Sequence, residues 1–499
     1  MRSWKLPLRA SEDVTLDQVI TRFRELGIPL TPVYLTLLFS LYEQDPSFRP
    51  TNTPSLVENF VEKVLGKSSG SFGRGSFDYK NSVSLLAYLA ERTIVGDSYT
   101  VEYSTLYQWA DEYLKAIDLP EDIHALVTRF TKSGIFSSVS NSVYFKHDMF
   151  LAYFAAQRMI SSQNFFNVIA SCAYRFPQEA DIFCGLMRFD NNIITILGTQ
   201  FADVDRRLKE QFTLLPSLDS LEEFELPNDE SIEAMFSAVT DQLTSKAMNE
   251  SDRDKMLDHE VKKPVVYKPL RRPESKLVAL EWFKTLRTYS IVLKNLEEIG
   301  ADQKELHMAV IIEAWARAIV YLIVIVRMVF DEGIEVGGVN INFNKVFGER
   351  KPFVLRCLFI SLPMIVSGYL RTDLGTEKLR KVLGNTDPAG NESVAIRFLN
   401  EMLYLDLRLP DFMQRTKKFA GSIREKRYFV ESLLVKLQDS YIRFPLEDES
   451  SDVEYRGLLA QLTVDASGKR GTERDKAISR RMQEMKKKQL VAKLKGESG

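Results

Sequence analysis

The stretch IFSSVSNSVYFKHDMFLAYFAAQRMI, residues 135–160, carries two patterns back to back. Up to Phe145 it reads as two short β-prone runs around Ser140-Asn141-Ser142, the signature of a hairpin. From His147 the period changes. Phe150, Tyr153, Phe154 and Gln157 recur at three- and four-residue spacing, so they share one face of a helix. Ala152, Ala155 and Ala156 are small enough to let another element approach that helix closely. His147 sits at the junction between strand and helix. By chemistry alone its imidazole can meet a neighbouring carbonyl or hold a ligand, and the spacing leaves both open.

Upstream of the hairpin, NSVSLLAYLAERTI (81–94) is helical and SYTVEY (98–103) is β-like. STLYQWADEYLKAI (104–117) is helical with Ser104 as its expected N-cap. PEDIHALVTRFTKSG (120–134) is helical from Pro120 to Gly134. Three helices followed by a hairpin is the order of a winged-helix domain. A helix that reads DNA must bring cations to the groove. The helix before this hairpin opens with Glu121 and Asp122 and holds only Arg129 and Lys132 as cations, so it is expected to pack against protein.

Towards the amino terminus, TLDQVITRFREL (15–26) has Leu16, Val19, Ile20, Phe23 and Leu26 at helical spacing, and Gly27 breaks it. PVYLTLLFSLYEQ (32–44) starts a second helix, with Pro32 in a tolerated first-turn position. TPSLVENFVEKVL (53–65) is a third. It leads into GKSSGSFGRGS (66–76), which imitates a phosphate-binding loop. The G-x-x-x-x-G-K-[ST] pattern needs a glycine at position 61, where Val61 stands, and it needs a strand rather than a helix before it. Gly66 is therefore read as a helix end followed by a Ser/Gly linker.

Beyond 160 the chain is helical to 245, with an acidic stretch, DSLEEFELPNDESIE (219–233). Residues 246–276 are polar, charged and proline-bearing, the mark of a linker. The fold class expected is mainly α: a helical domain (14–67), a winged-helix domain (78–160) and a long α-helical region. That region comprises residues 161–245, the linker 246–276, a carboxy-terminal helical domain (277–464) and a basic tail (465–499). The tail has 11 Lys and Arg against 5 Asp and Glu, which suits an acidic partner.

The 499 residues carry a net charge of −2, so no global attraction to nucleic acid or to an anionic membrane is expected. Three cysteines, none in a CxxC pair, and no apolar leader fit a reducing cytoplasm. The apolar runs 318–326 and 357–370 fall short of the roughly 20 residues of a membrane span, so buried helices are expected there. The four histidines (His124, His147, His259, His307) lack metal-ligand spacing, and no nucleophile–base pair stands out. No catalytic residue, no metal site and no enzymatic activity of the chain alone are expected.

The run from Phe145 to Ala156, F-x-H-x-x-F-x-x-Y-F-x-A, at the end of a winged helix resembles STAND-class P-loop NTPases with a NACHT-type module. GIPLTPVYLTLLFSLYE (27–43) resembles the Gly-x-Pro region of their first helical domain. NTPSLVENFVEKVLGK (52–67) and FDYKNSVSLLAYLAERTI (77–94) resemble the join to the winged helix in bacterial members. The resemblance spans roughly residues 14–160. It implies that His147 contacts the phosphate of a bound nucleotide and that Pro29 or Pro32 packs on the adenine; which proline stays open. The chain departs from the family in having neither G-x-x-x-x-G-K-[ST] nor an apolar strand ending in paired acids. ADP or ATP is thus expected only together with a P-loop ATPase domain, in cis or in trans, that is missing here, and no cofactor is expected for the chain alone. The function implied is a non-catalytic regulatory or sensor segment of a signalling NTPase, of the kind used in bacterial defence. A stand-alone helical scaffold or adaptor is the alternative. Self-association through helices that normally cover an ATPase core is expected; nucleic acid and membrane are not expected partners.

Overall fold

The computed structural model describes residues 37–38, 40–41, 53–66, 77–212, 216–228, 230–245, 277–336, 339–341, 343–443 and 449–496. The helix read over 15–26 and the linker over 246–276 lie outside the described residues. The chain is mainly α and divides into two compact units. One comprises Met1–Gln211, Tyr267–His307 and Asp373–Lys378; the other comprises Phe212–Val266, Met308–Thr372 and Leu379–Gly499.

In the first unit α1 (Thr53–Val64) ends at Gly66, whose φ of +75° a residue with a Cβ adopts only at a cost. Asp78 caps α2 (Tyr79–Val95) by accepting from the Asn81 N–H at 2.9 Å. β1 (Val101–Glu102) runs straight into α3 (Tyr103–Ala116). The cap position of α3 therefore falls to Glu102, with no side-chain cap bond, and Ser104 lies inside the helix rather than at its cap. The start of α4 (Ile123–Lys132) is displaced from Pro120 for a similar reason: Asp122 accepts from the Ala125 N–H at 3.2 Å and fixes the first turn there.

Gly134, at φ +80°, ends α4 and turns the chain into β2 (Phe136–Val139) and β3 (Ser142–Phe145). Phe136 faces Phe145 and Val139 faces Ser142, so Ser140 and Asn141 form a two-residue turn, with Ser140 at φ +55°. β1 adds to the other side of β3 through Val101 and Val143, giving the order β1-β3-β2. A chain of rings joins these elements. Phe130 meets Phe136 edge-on at 6.0 Å, Phe136 meets Phe145 at 5.0 Å, and Phe145 meets Phe154 of α5 (Asp148–Ser161) at 6.0 Å. Every residue of α5 from Met149 to Ala156 is buried, because α2 and α7 (Pro177–Met187) pack on it as well as the sheet. A single apolar face was too modest an expectation for this helix.

Ser162 caps α6 (Gln163–Ser171), accepting from the Phe165 N–H at 3.3 Å, and α8 (Asn191–Gln211) follows α7. The chain then contributes α9 (Glu230–Ser245) to the second unit and returns as α10 (Val278–Asn295), which packs on α7 and α8. Polar side chains tie this return in place. Trp282 donates to Asp205 at 2.8 Å, and Asn295 donates to Asp181 at 2.5 Å. Arg287 holds Asp373 through two bonds of 2.6 and 3.0 Å, and Lys378 pairs with Glu297. The segment Asp373–Lys378 is thereby pinned to α10.

The second unit contains α9, most of α11 (Ala301–Glu332), a hairpin of β4 (Ile334–Val336) and β5 (Val339–Ile341), α12 (Phe343–Phe347) and α13 (Lys351–Leu374). After them come α14 (Arg380–Gly384), α15 (Val394–Asp406), α16 (Phe412–Ser422), α17 (Arg427–Arg443), α18 (Glu449–Ala466) and α19 (Gly471–Gly496). Two ion pairs are buried among apolar neighbours: Arg356 with Glu431 at 2.6 Å, and Lys436 with Asp406 at 2.8 Å. Glu431 also accepts from Arg427 at 2.9 Å, so its charge is shared by two guanidinium groups. Helix α11 and the stretch Gly348–Leu374 are, by length and composition, long and apolar enough to cross a membrane, although the runs first read there were short. Half of the apolar window of α11 and 44% of the other are buried within the protein.

Candidate functional site

Two residues, Lys146 and His147, join the end of the hairpin to α5, and His147 is the one next to the helix. Its backbone is extended, at φ −132° and ψ 139°, while its carbonyl already accepts from the Phe150 N–H at 2.9 Å. It is thus the N-cap of α5, yet its side chain makes no cap hydrogen bond. Ser, Thr, Asp or Asn at that position would normally satisfy an N–H of the first turn. Here a ring stands where the cap oxygen would be. The N-terminal end of α5, with its positive dipole, lies beside it.

The ring is braced from one side. Phe150 lies against it edge-on at 5.4 Å, and Phe150 in turn stacks on Phe60 of α1 at 6.0 Å and 8°. His147 is half-buried, and its neighbours Lys146 and Asp148 are exposed. Burial, followed by the charge of Lys146, holds the imidazole below its ordinary pKa, and Asp148 opposes only part of this. At neutral pH the ring is therefore uncharged. It offers one N–H donor and one lone pair.

The site's other expected residues, Pro29 and Pro32, lie outside the described residues, so no geometry joins them to His147. Gly66 of the imitation phosphate loop is a helix end: its N–H donates to the Lys63 carbonyl at 3.0 Å, and α1 precedes it where a P-loop would have a strand. Among the described residues no group of three His, Cys, Asp or Glu is disposed to hold a metal ion.

Helix α4 turns its central cation inward. Arg129 lies over the rings of Phe77 and Phe130 at 5.6 and 5.5 Å and donates to Ser82 at 3.2 Å. Burial lowers its pKa, though not enough to discharge a guanidinium. His124 of the same helix is engaged with the Tyr107 hydroxyl at 3.1 Å.

Sequence reasoning missed the polar side of α5. Tyr153 is more than one more aromatic of its face: its hydroxyl accepts from Gln157 at 3.1 Å and is hydrogen-bonded to Tyr79 of α2. Burial pushes Tyr79 up to about 12 and Tyr153 higher still, so both remain neutral hydroxyls. A tyrosine at a position where phenylalanine would fill the same volume was the available signal. It fixes the rotation of α5 about its axis, and with it the direction of His147.

No curated protein and no solved structure matches the chain. A family model does match one segment: residues 99–155 are similar to Novel STAND NTPase 4. The matched segment runs from β1 through the hairpin to the middle of α5 and contains His147. This segment is related to the STAND-class NTPases.

Proposed function

We propose that residues 78–160 are the winged-helix module of a STAND NTPase of NACHT type, and that His147 reads the phosphate end of a bound ADP or ATP. The observation that carries this reading is the position of His147: a half-buried, ring-braced imidazole in place of a cap residue, at a helix N-terminus, inside the segment similar to Novel STAND NTPase 4. Its role is regulatory, not catalytic. The 499 residues contain no G-x-x-x-x-G-K-[ST], so a P-loop domain, in cis or in trans, supplies the phosphate cradle, and Pro29 or Pro32 meets the adenine. A neutral imidazole donating one N–H to a phosphate oxygen ties the module to the phosphate state of the nucleotide. A ligand that favours one arrangement over another in this way biases the two. The remaining helices sense or scaffold, in a cytoplasmic signalling system of the kind used in bacterial defence.

The test is ADP retention in the complete assembly of this chain with its P-loop domain, measured as nucleotide released from the purified complex. Losing one hydrogen bond to a charged acceptor costs about 1.5–3 kcal/mol, so His147→Ala is expected to weaken ADP binding about 10- to 150-fold. It should also raise basal signalling. A second reading, a stand-alone helical scaffold, is favoured by the complete burial of Phe150, Tyr153 and Phe154, which explains their spacing as core. Under it, His147→Ala lowers the melting temperature and leaves ADP occupancy unchanged.

A further inference from the structure

We propose that the carboxy-terminal half of α19 binds the phosphodiester backbone of a nucleic acid. This inference stands apart from the nucleotide reading and uses none of its residues. The two halves of α19 differ in composition, and the cations of the first half are tied to the protein. In residues 471–484, Arg474 is paired with Asp465, Arg481 reaches Asp241 at 2.9 Å and the Ser237 carbonyl at 3.1 Å, and Arg480 pairs with Glu484 at 2.9 Å. Met482 lies against Gly457 of α18. This half is docked, and three of its four cations are engaged by carboxylates of the protein.

From residue 485 to residue 496 the sequence is MKKKQLVAKLKG, with five lysines and no acid. The helix continues through it to Gly496. Of the described side chains from Gln483 onward, Gln483, Glu484 and Lys487 are all exposed. Five positive charges on two to three turns of helix have a high mutual repulsion, which a polyanion relieves.

The distribution of the lysines selects the polyanion. At 100° per residue, positions 486, 487, 488, 493 and 495 spread over about 220° of the circumference; the remaining arc holds Met485, Gln489 and Ala492, and position 487 falls between Leu494 and Val491. A helix that lies on an anionic membrane needs a continuous apolar face opposite its cations. This one has none. A strand of phosphates needs only cations within reach and accepts them from several sides of a helix.

The experiment uses the full chain and fluorescence anisotropy with three probes: a short mixed-sequence DNA duplex, an oligouridylate RNA, and vesicles containing phosphatidylserine. If each lysine neutralises one phosphate, the affinity for duplex falls about 500-fold between about 50 and 200 mM salt, and that for a single strand falls about 130-fold. The tighter of the two identifies the form of nucleic acid. The triple variant Lys486→Glu, Lys487→Glu, Lys488→Glu should lower affinity at low salt by more than about tenfold and flatten the logarithmic salt slope by about 2.7 for duplex. The corresponding triple arginine variant should bind as the unaltered chain does, which separates lost charge from lost fold. Failure to bind either nucleic acid at low salt overturns the proposal. So does equal binding by the glutamate variant, or binding to vesicles in preference to both nucleic acids.

Discussion

A proline ring and a missing Cβ decide how closely two helices meet in the first unit. A Cβ built on Gly185 of α7 would lie 2.3 Å from Cγ and 2.6 Å from Cβ of Pro54 in α1. Pro54 is a rigid ring at the start of a helix and cannot swing aside as a lysine would. We expect Gly185→Ala to destabilise the protein by about 1–3 kcal/mol, the usual cost of overfilling a packed contact. Thermal melting checks it, and the double variant Gly185→Ala, Pro54→Ala should recover a good part of the loss. An unshifted melting temperature in the single variant would show that α1 does not approach α7 so closely. The contact matters for the site because α1 also carries Phe60, which backs Phe150 and through it His147.

At the scale of the element, local chemistry made much of the hairpin region legible in the sequence. Ser140-Asn141 gave the turn, Gly134 the end of α4, and the change of period at His147 the start of α5. Local rules misled where two elements abut. Ser104 has the right side chain for a cap, but β1 passes into α3 with no loop between them, so the boundary moves to Glu102. The aspartates at 78 and 122 hold the caps that matter. Asp122→Ala should therefore cost about 1 kcal/mol, whereas Ser104→Ala should stay within about 0.5 kcal/mol of the unaltered protein. Melting curves of the two variants, measured side by side, decide it; a larger loss at Ser104 would restore it as the cap. Burial of α5 on every side was not legible. Its Ala-rich faces hinted at close neighbours, but which helices supply them is a long-range fact.

At the scale of the molecule, the first unit draws on three separate segments, and no periodicity in the chain announces this. What joins them is polar and distant in sequence: an ion pair from Arg287 to Asp373 across 86 positions, and a hydrogen bond from Asn295 to Asp181 across 114. Lys294 lies among the same groups, its pKa lowered by burial against the pull of Asp181 and Asp373. The cluster gives the unit a pH dependence. Burial pushes Asp181 from 3.8 up to about 6, with Lys294 and the Asn295 bond opposing, and burial also raises Asp373 against Arg287. A carboxyl with a higher pKa in the folded protein holds its proton while the unfolded chain has already lost its own. Stability from this source is therefore full below about pH 4 and declines as pH rises towards about 6, after which the penalty is constant. Asp181→Asn removes the titration, and an amide oxygen can still accept from Asn295. The stability of this variant relative to the unaltered chain should thus increase by roughly 1–3 kcal/mol between about pH 4 and pH 7, the upper figure corresponding to the full shift. Denaturant unfolding followed at several pH values measures the difference. A gap that stays constant across that range, or narrows as pH rises, would mean that Asp181 is ionised throughout and that its bond to Asn295 is that of an ordinary carboxylate.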